Sequence, residues 1–298
     1  MTTLRTCPLC QTRDRSVLFA EASIDRTLLD EFAFASRKMP EYMHHRLNVC
    51  RDCDLVYADT LPDEVDLSAA YQSAAFDSGV EAAFAARTYA KLLSSQFSRL
   101  PDRVGAVDIG TGDGAFLREL LMAGFSEVSG VEPSSAPIAA APPDIRARIR
   151  SGLFHRGLFP AASCSLVTCF QTIEHVANPL ELCVAAKEIL KDGGLFCLVG
   201  HNRRSISAAV LGRRSPIYDI EHLQLFSPTS MRQLLKRAGF QQIHVGSFWN
   251  RYPLSYWMKL FPFPKTFKLS LLKSLSVTGV GRIPIKLPAG NLVAWGVK

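Results

Sequence analysis

The sequence predicts an α/β fold on a doubly wound, mostly parallel sheet. Three observations predict it. Short apolar runs alternate with amphipathic segments at helical spacing from Val104 to Phe248. A glycine-rich turn, Gly110-Thr111-Gly112-Asp113-Gly114, joins the first apolar run to the first amphipathic one. Two CxxC pairs lie upstream of that alternation and mark off a small N-terminal module.

The chain has 298 residues, 48% hydrophobic and 20% charged. This excludes a disordered chain and leaves room for one large domain or two modest ones. The formal net charge is +7, unevenly spread. Glu221 is the last carboxylate side chain, and 11 Lys and Arg follow it. The first 221 residues carry 23 basic against 27 acidic side chains. A uniformly basic polyanion binder is thereby excluded; only the C-terminal quarter is basic. Met1 to Cys7 holds no apolar signal region, and no run of ~18 apolar residues occurs. The expectation is a cytoplasmic chain, with membrane association left open.

In the N-terminal module, Cys7-Pro8-Leu9-Cys10 and Cys50-Arg51-Asp52-Cys53 each turn two thiolates toward one point. Together Cys7, Cys10, Cys50 and Cys53 complete a tetrahedral set suited to a structural Zn²⁺. Free thiols and a redox CxxC are the alternatives, and no thioredoxin-like strand precedes either pair. The other four cysteines lie in apolar stretches and read as core residues.

The second part opens with an apolar strand from Val104 to Ile109 that contains Asp108. The glycine turn follows, then a helical run from Ala115 to Ala123 ended by Gly124. A second strand, Val128 to Val131, ends in Glu132, whose carboxylate can accept both hydroxyls of a ribose. The spacing D-x-G-x-G-x-G differs from the dinucleotide fingerprint G-x-G-x-x-G. Further on, Asn178 and Pro179 mark a helix start and Gly193 its end. Ser227 and Pro228 start another helix, which Gly239 ends. The sixth strand runs from Gln241 to about Phe248 and the last from Asn291 to Val297.

Over roughly residues 67–246 this order of motifs resembles the class I S-adenosylmethionine (SAM)-dependent methyltransferases, a Rossmann-like fold. The resemblance implies that Asp108, Gly110, Thr111, Gly112 and Gly114 cradle SAM and that Glu132 takes its ribose. Phe170-Gln171-Thr172-Ile173-Glu174-His175-Val176 matches the segment lying along the methionine part, which implicates Phe170 and Gln171. Many relatives have an acid for the adenine after the third strand. Here Ser151-Gly152-Leu153-Phe154 has none, so Leu153 or Phe154 would pack on the base. Tyr71 is placed to close over the methionine end, as comparable tyrosines do, and Asp77 to Leu100 reads as lid helices.

The candidate bases are histidines at the carboxyl ends of strands, where ligands bind in such sheets. His222 lies in Tyr218-Asp219-Ile220-Glu221-His222-Leu223-Gln224-Leu225-Phe226-Ser227. That stretch resembles a segment of zinc-containing sugar C-methyltransferases, matching at Glu221, His222, Phe226 and Ser227. A helix-capping or backbone-binding His is the alternative. His175 reads as a loop-holding residue or a second catalytic candidate. His201-Asn202-Arg203-Arg204 reads as an acceptor-binding or a solvated basic turn.

Between the last two strands lie about 40 residues, Trp249 to Gly290, where this fold usually has a short hairpin. Phe248 to Phe267 holds eight of the chain's aromatics, interleaved with lysines and arginine. The pattern suits peripheral contact with an anionic membrane. Packing on the domain or a homodimer interface is the alternative, and RNA a weaker one. The organisation expected is a zinc-binding module at 1–62 and a SAM-dependent methyltransferase domain at 63–298, with a basic aromatic insert at 249–290. The expected acceptor is a saccharide, nucleotide-sugar or glycoconjugate. A zinc-containing RNA methyltransferase and a non-catalytic SAM-binding scaffold are the rival readings.

Overall fold

Asp108 sits on a buried strand that pairs in parallel with a neighbour on each side. In a computed structural model, residues 4–12, 14–25, 40–61, 76 and 79–298 are described. Tyr71 lies outside the described residues, as does the expected domain boundary near 62.

In chain order, the N-terminal part holds β1 (Ser16–Ala20), β2 (Leu47–Cys50) and β3 (Val56–Ala58). The chain continues with α1 (Gly79–Leu93), β4 (Ala106–Ile109), α2 (Ala115–Met122), β5 (Val128–Glu132), α3 (Ser135–Ala140), α4 (Pro143–Arg146) and β6 (Ile149–Ser151). Then come β7 (Cys164–Phe170), α5 (Pro179–Ile189), β8 (Leu190–His201), α6 (Ile206–Leu211), β9 (Gln224–Leu225), α7 (Pro228–Arg237) and β10 (Gln241–Ser247). The insert forms β11 (Asn250–Pro253), α8 (Leu254–Leu260), α9 (Lys265–Thr278) and β12 (Pro284–Leu287), and β13 (Asn291–Val297) closes the chain.

The main sheet has seven strands in the order β10-β13-β8-β7-β4-β5-β6. β4 pairs in parallel with both β5 and β7, and only β13 runs against its neighbours. β4 and β7 are buried at every position, as parallel strands covered on both faces must be. From β4 the chain first moves outward to β5 and β6, then returns on the other side to β7 and β8. The order therefore reverses between β4 and β7, and a crevice opens at their carboxyl ends. The glycine turn and Phe170-Gln171 sit there.

Two helix-end expectations are corrected. α5 stops at Ile189, not at Gly193. The amides of Ala162 and Ser163 take the carbonyls of Glu188 and Ile189, so the strand begins at Leu190. Its register to β7 then jumps between Leu190 and Leu195, and Lys191-Asp192-Gly193-Gly194 bulges out. Asn178 occupies the N-cap position of α5, but its side chain makes no capping hydrogen bond; Pro179 provides the helical start. Ser227 does cap, accepting from the Ser230 amide in a reciprocal box with that residue.

The N-terminal strands form a sheet in the order β1-β2-β3-β9. Its fourth strand comes from the segment immediately after His222, and the Ala58 amide donates to Leu223 O at 2.8 Å. The thiol-bearing knuckles share a core with Phe226, Met231 and Leu234. In the insert, β11 and β12 pair antiparallel and carry α8 and α9 between them. Tyr252, Tyr256 and Trp257 are buried against the same core as Tyr89 and Phe170. Among the described residues, no helix is long and apolar enough to cross a membrane.

Candidate active site

The crevice at the β4–β7 switch is a cavity of ≈ 920 Å³. Its walls bring together the glycine turn, Glu132, Phe154, Gln171, four histidines and the inner face of the insert.

At the turn, Gly110, Gly112 and Gly114 have φ of +74°, +59° and +70°, a region side chains other than glycine rarely adopt. The reasons for glycine differ. A Cβ on Gly110 would strike Thr172 Oγ1 at 2.1 Å, and one on Gly114 would strike Ile145 Cγ2 at 2.3 Å. A Cβ on Gly112 would meet nothing within 4 Å, so that residue keeps backbone and open space against the cavity. Thr111 turns its methyl toward the sheet, where Gly130 makes room for it.

Asp108 is buried and accepts a 2.6 Å hydrogen bond from Thr168 Oγ1. Burial pushes its pKa up to about 7, and the nearby Glu132 charge adds to the rise. Glu132 accepts from the Gly112 amide at 2.8 Å and the Ser134 amide at 2.9 Å, one on each oxygen. Burial raises its pKa, and the two amides work against that rise. Gln171 holds φ +53°, strained for a residue other than glycine. Its Nε2 is buried and finds no hydrogen-bond acceptor among the described residues. Phe170 packs against Tyr89 and Phe116, with ring centres 4.5 and 4.8 Å apart. Phe154 is half-buried beside Phe159 on the cavity wall, whereas Leu153 is 60% exposed. A carboxylate, a glycine cradle, an unsatisfied amide and apolar walls fit a ligand with a ribose, a charged tail and a flat ring.

Across the cavity the rings of His175 and His222 lie 5.0 Å apart, and those of His201 and His222 5.1 Å apart. His222 Nδ1 is 2.8 Å from Ile217 O. A carbonyl only accepts, so Nδ1 carries the proton and Nε2 presents a lone pair. His175 Nδ1 lies 3.4 Å from Glu221 Oε2. His201 Nδ1 is 3.2 Å from Asn291 Oδ1, and burial lowers its pKa to about 3, with the His222 charge adding to the drop. It is therefore neutral at ordinary pH. Glu174 sits behind this group: its Oε1 accepts from the His201 amide at 2.5 Å, and Gly200 leaves it the room. Burial raises the Glu174 pKa to about 7.

Sequence reasoning placed His222 and His175 at the site but missed what holds them. Buried Gln224 donates through Nε2 to the carbonyls of Ile173, Glu174 and Val176. Arg5 donates to Ala177 O and to Gln224 Oε1, bringing the N-terminal module to the same loop. Arg203 and Arg204 both pair with Asp54 and do not face the cavity, which removes them as acceptor ligands. Their neighbour His201, read as part of that basic turn, instead completes the histidine group. The four thiols of Cys7, Cys10, Cys50 and Cys53 lie within 4.8 Å of one another. The Cys7–Cys53 sulfur separation is 3.6 Å. Sulfurs about 2.3 Å from one tetrahedral metal would lie at roughly that spacing.

A profile of a methyltransferase-domain family matches residues 82–245, more than half of the chain. The chain belongs to that family. It is a SAM-dependent methyltransferase of Rossmann-like fold. Among curated relatives, ubiquinone biosynthesis O-methyltransferase of Photobacterium profundum is 22% identical over 167 residues, 51% of this chain and 70% of the relative. The protein of that name in Acinetobacter baumannii is 23% identical over the same shares. Among solved structures, the YcgJ protein of Bacillus subtilis superposes with a TM-score of 0.50 at 17% identity, covering 71% of this chain and 98% of that one. Phosphoethanolamine N-methyltransferase 2 of Haemonchus contortus, solved with SAM, also gives 0.50 at 17% identity, over 82% and 61%. These likenesses concern the fold.

Proposed function

We propose that this methyltransferase acts on a hydroxyl of a saccharide, nucleotide-sugar or glycoconjugate, with His222 as the base. The single observation that carries the reading is the Nδ1–H bond of His222 to Ile217 O, which puts the imidazole's lone pair on Nε2 of a residue that lines the cavity. SAM supplies an electrophilic methyl group on a sulfonium that departs as a neutral thioether. The remaining requirement at a hydroxyl acceptor is to remove its proton, which a neutral imidazole does. His201 is held neutral beside it, so the group starts without a charge that would block protonation of His222. Glu221, with Oε2 3.4 Å from His175 Nδ1, would set a negative charge at the histidine group to offset the positive charge that develops on it.

On the cofactor side, Glu132 would take the ribose hydroxyls, Gln171 Nε2 would donate to the methionine carboxylate, and Phe154 would cover the base. Asp108 and the backbone of Gly110 to Gly114 shape the cradle. The acceptor side combines aromatic faces from Tyr252, Tyr256 and Trp257 with polar groups at Asp219, Glu221 and Asn291. Flat rings beside hydrogen-bonding groups suit a sugar. A phenolic hydroxyl is a second reading, favoured by the apolar part of that wall and by the names of the O-methyltransferase relatives.

The test is product mass spectrometry over nucleotide sugars, glycolipids and phenols with SAM, for wild type and His222→Asn. The variant should bind SAM as wild type does and lose about 10²–10⁴-fold in turnover. Near-full turnover by the variant would exclude the base role.

We further infer that Cys7, Cys10, Cys50 and Cys53 hold a structural Zn²⁺. Elemental analysis should find one zinc per chain, and Cys50→Ser should abolish it. A metal-free folded chain would overturn this assignment.

A further inference from the structure

The insert has two faces, and only the inner one is accounted for by the cavity. α9 is a helix of 14 residues on which no apolar side chain is fully buried. A helix packed in a globular domain ordinarily buries an apolar stripe. Among the described side chains of α9 the one buried is Lys268, whose Nζ donates to Lys259 O and so ties α9 onto α8. The outer face instead exposes Phe267, Leu269 and Val277. The segment after it adds Val280 and Ile283, and Trp249 stands exposed at the start of the insert. Arg251, Lys273, Arg282 and Lys286 are exposed among them, with no Asp or Glu anywhere after Glu221. None of these four is in an ion pair among the described residues.

We infer that the outer face of α8–α9 and the turn after it docks on an anionic lipid surface. Charge complementarity selects this occupant. A second copy of the chain on the same face would set like charges against like. A nucleic acid would use the charges and the aromatic rings but not Leu269, Val277, Val280 and Ile283, which fit an acyl layer. The patch also runs into the cavity rim, because Phe261 and Leu287 are exposed and line the cavity as well. Docking there would put the mouth of the active site at the headgroup level. This inference stands whichever acceptor is methylated.

The test is cosedimentation of the full chain with vesicles of phosphatidylcholine alone and of phosphatidylcholine mixed with phosphatidylglycerol. At low salt the mixed vesicles should retain at least about tenfold more protein than the neutral ones, and raised salt should release much of it. Phe267→Ser/Leu269→Ser/Val277→Ser and, separately, Lys273→Glu/Arg282→Glu/Lys286→Glu should each lose about tenfold in retention. Both should keep wild-type melting and SAM affinity, since none of the six residues lines the cavity. Equal retention on both vesicle types, or none by the folded chain, would overturn the inference. So would a wild-type dimer that either variant dissociates, or a salt-dependent shift of RNA without vesicle binding.

Discussion

Asp54, the residue after the last cysteine of the thiol cluster, is ion-paired with Arg203, two residues beyond His201 of the histidine group. Arg204 joins the same carboxylate, with Nε 3.0 Å from Oδ2. The knuckle that a metal would order is thus fastened to the end of the strand that carries an active-site histidine.

This fastening predicts what Asp54→Ala should do. The Arg203 side chain is nearly buried and would lose its carboxylate while keeping the bond from Nε to the Asp54 carbonyl, at a cost of about 1–3 kcal/mol after allowing for the partly exposed Asp54. The histidine end of β8 would loosen while the glycine turn stayed in place. Turnover should fall several-fold with SAM affinity held within about twofold, as calorimetry and steady-state kinetics would show. A parallel loss of both would mean general unfolding instead.

Stripping the proposed Zn²⁺ should act along the same line. β9 completes the sheet of the cysteine module and begins two residues after His222. A chelator should therefore lower the melting temperature and also weaken acceptor turnover, and added Zn²⁺ should restore both. An unchanged melting curve in chelator would show that the thiols stand without a metal.

Glu132 offers a cleaner test of the cofactor side. Its oxygens take the Gly112 and Ser134 amides, so Glu132→Ala removes the charge and leaves two donors unpaired. With about 2–3 kcal/mol lost from bonds to a charged acceptor, SAM should bind roughly 30- to 150-fold more weakly. Thermal stability should drop by less than SAM affinity does.

The placement of the glycine turn and Glu132 at the cavity was legible because it is local. Gly110 to Gly114 and Glu132 fall within one strand–turn–helix–strand unit, and their spacing alone places them. Gln171 could be read from its motif, though its strained φ could not. The acceptor side was less legible because it is assembled from distant segments. His201 came with two arginines that suggested a solvated turn; only the pairing to Asp54, about 150 residues earlier, turns them away from the cavity. The pairing of β11 with β12 spans more than 30 residues, with two helices between, and no turn signal marks it. Arg5 and Gln224 carry no motif at all, and their role exists only through carbonyls of a loop far off in sequence. Gly193 misled because a glycine after a helix looks like its end, whereas it serves a bulge at the start of β8.

The last prediction concerns Glu174 and pH. Its carboxyl is buried, with Oε1 on the His201 amide and Oε2 without a donor among the described residues. Burial raises its pKa from 4.5 to about 7. Between those values the folded chain keeps a proton that the unfolded chain has released. The stability this contributes is fully present below pH 4.5 and is lost as pH rises through about 7. Glu174→Gln keeps an oxygen for the His201 amide and removes the titration. Relative to the variant, wild type should therefore lose up to about 3 kcal/mol between mildly acidic and mildly alkaline pH. Urea unfolding of both proteins on either side of that window measures the difference. Asp108, His201 and the surface groups contribute equally to both chains, so the gap between the two profiles isolates Glu174. Profiles that run parallel would show that Glu174 is ionised in the folded enzyme, with its second oxygen served by water.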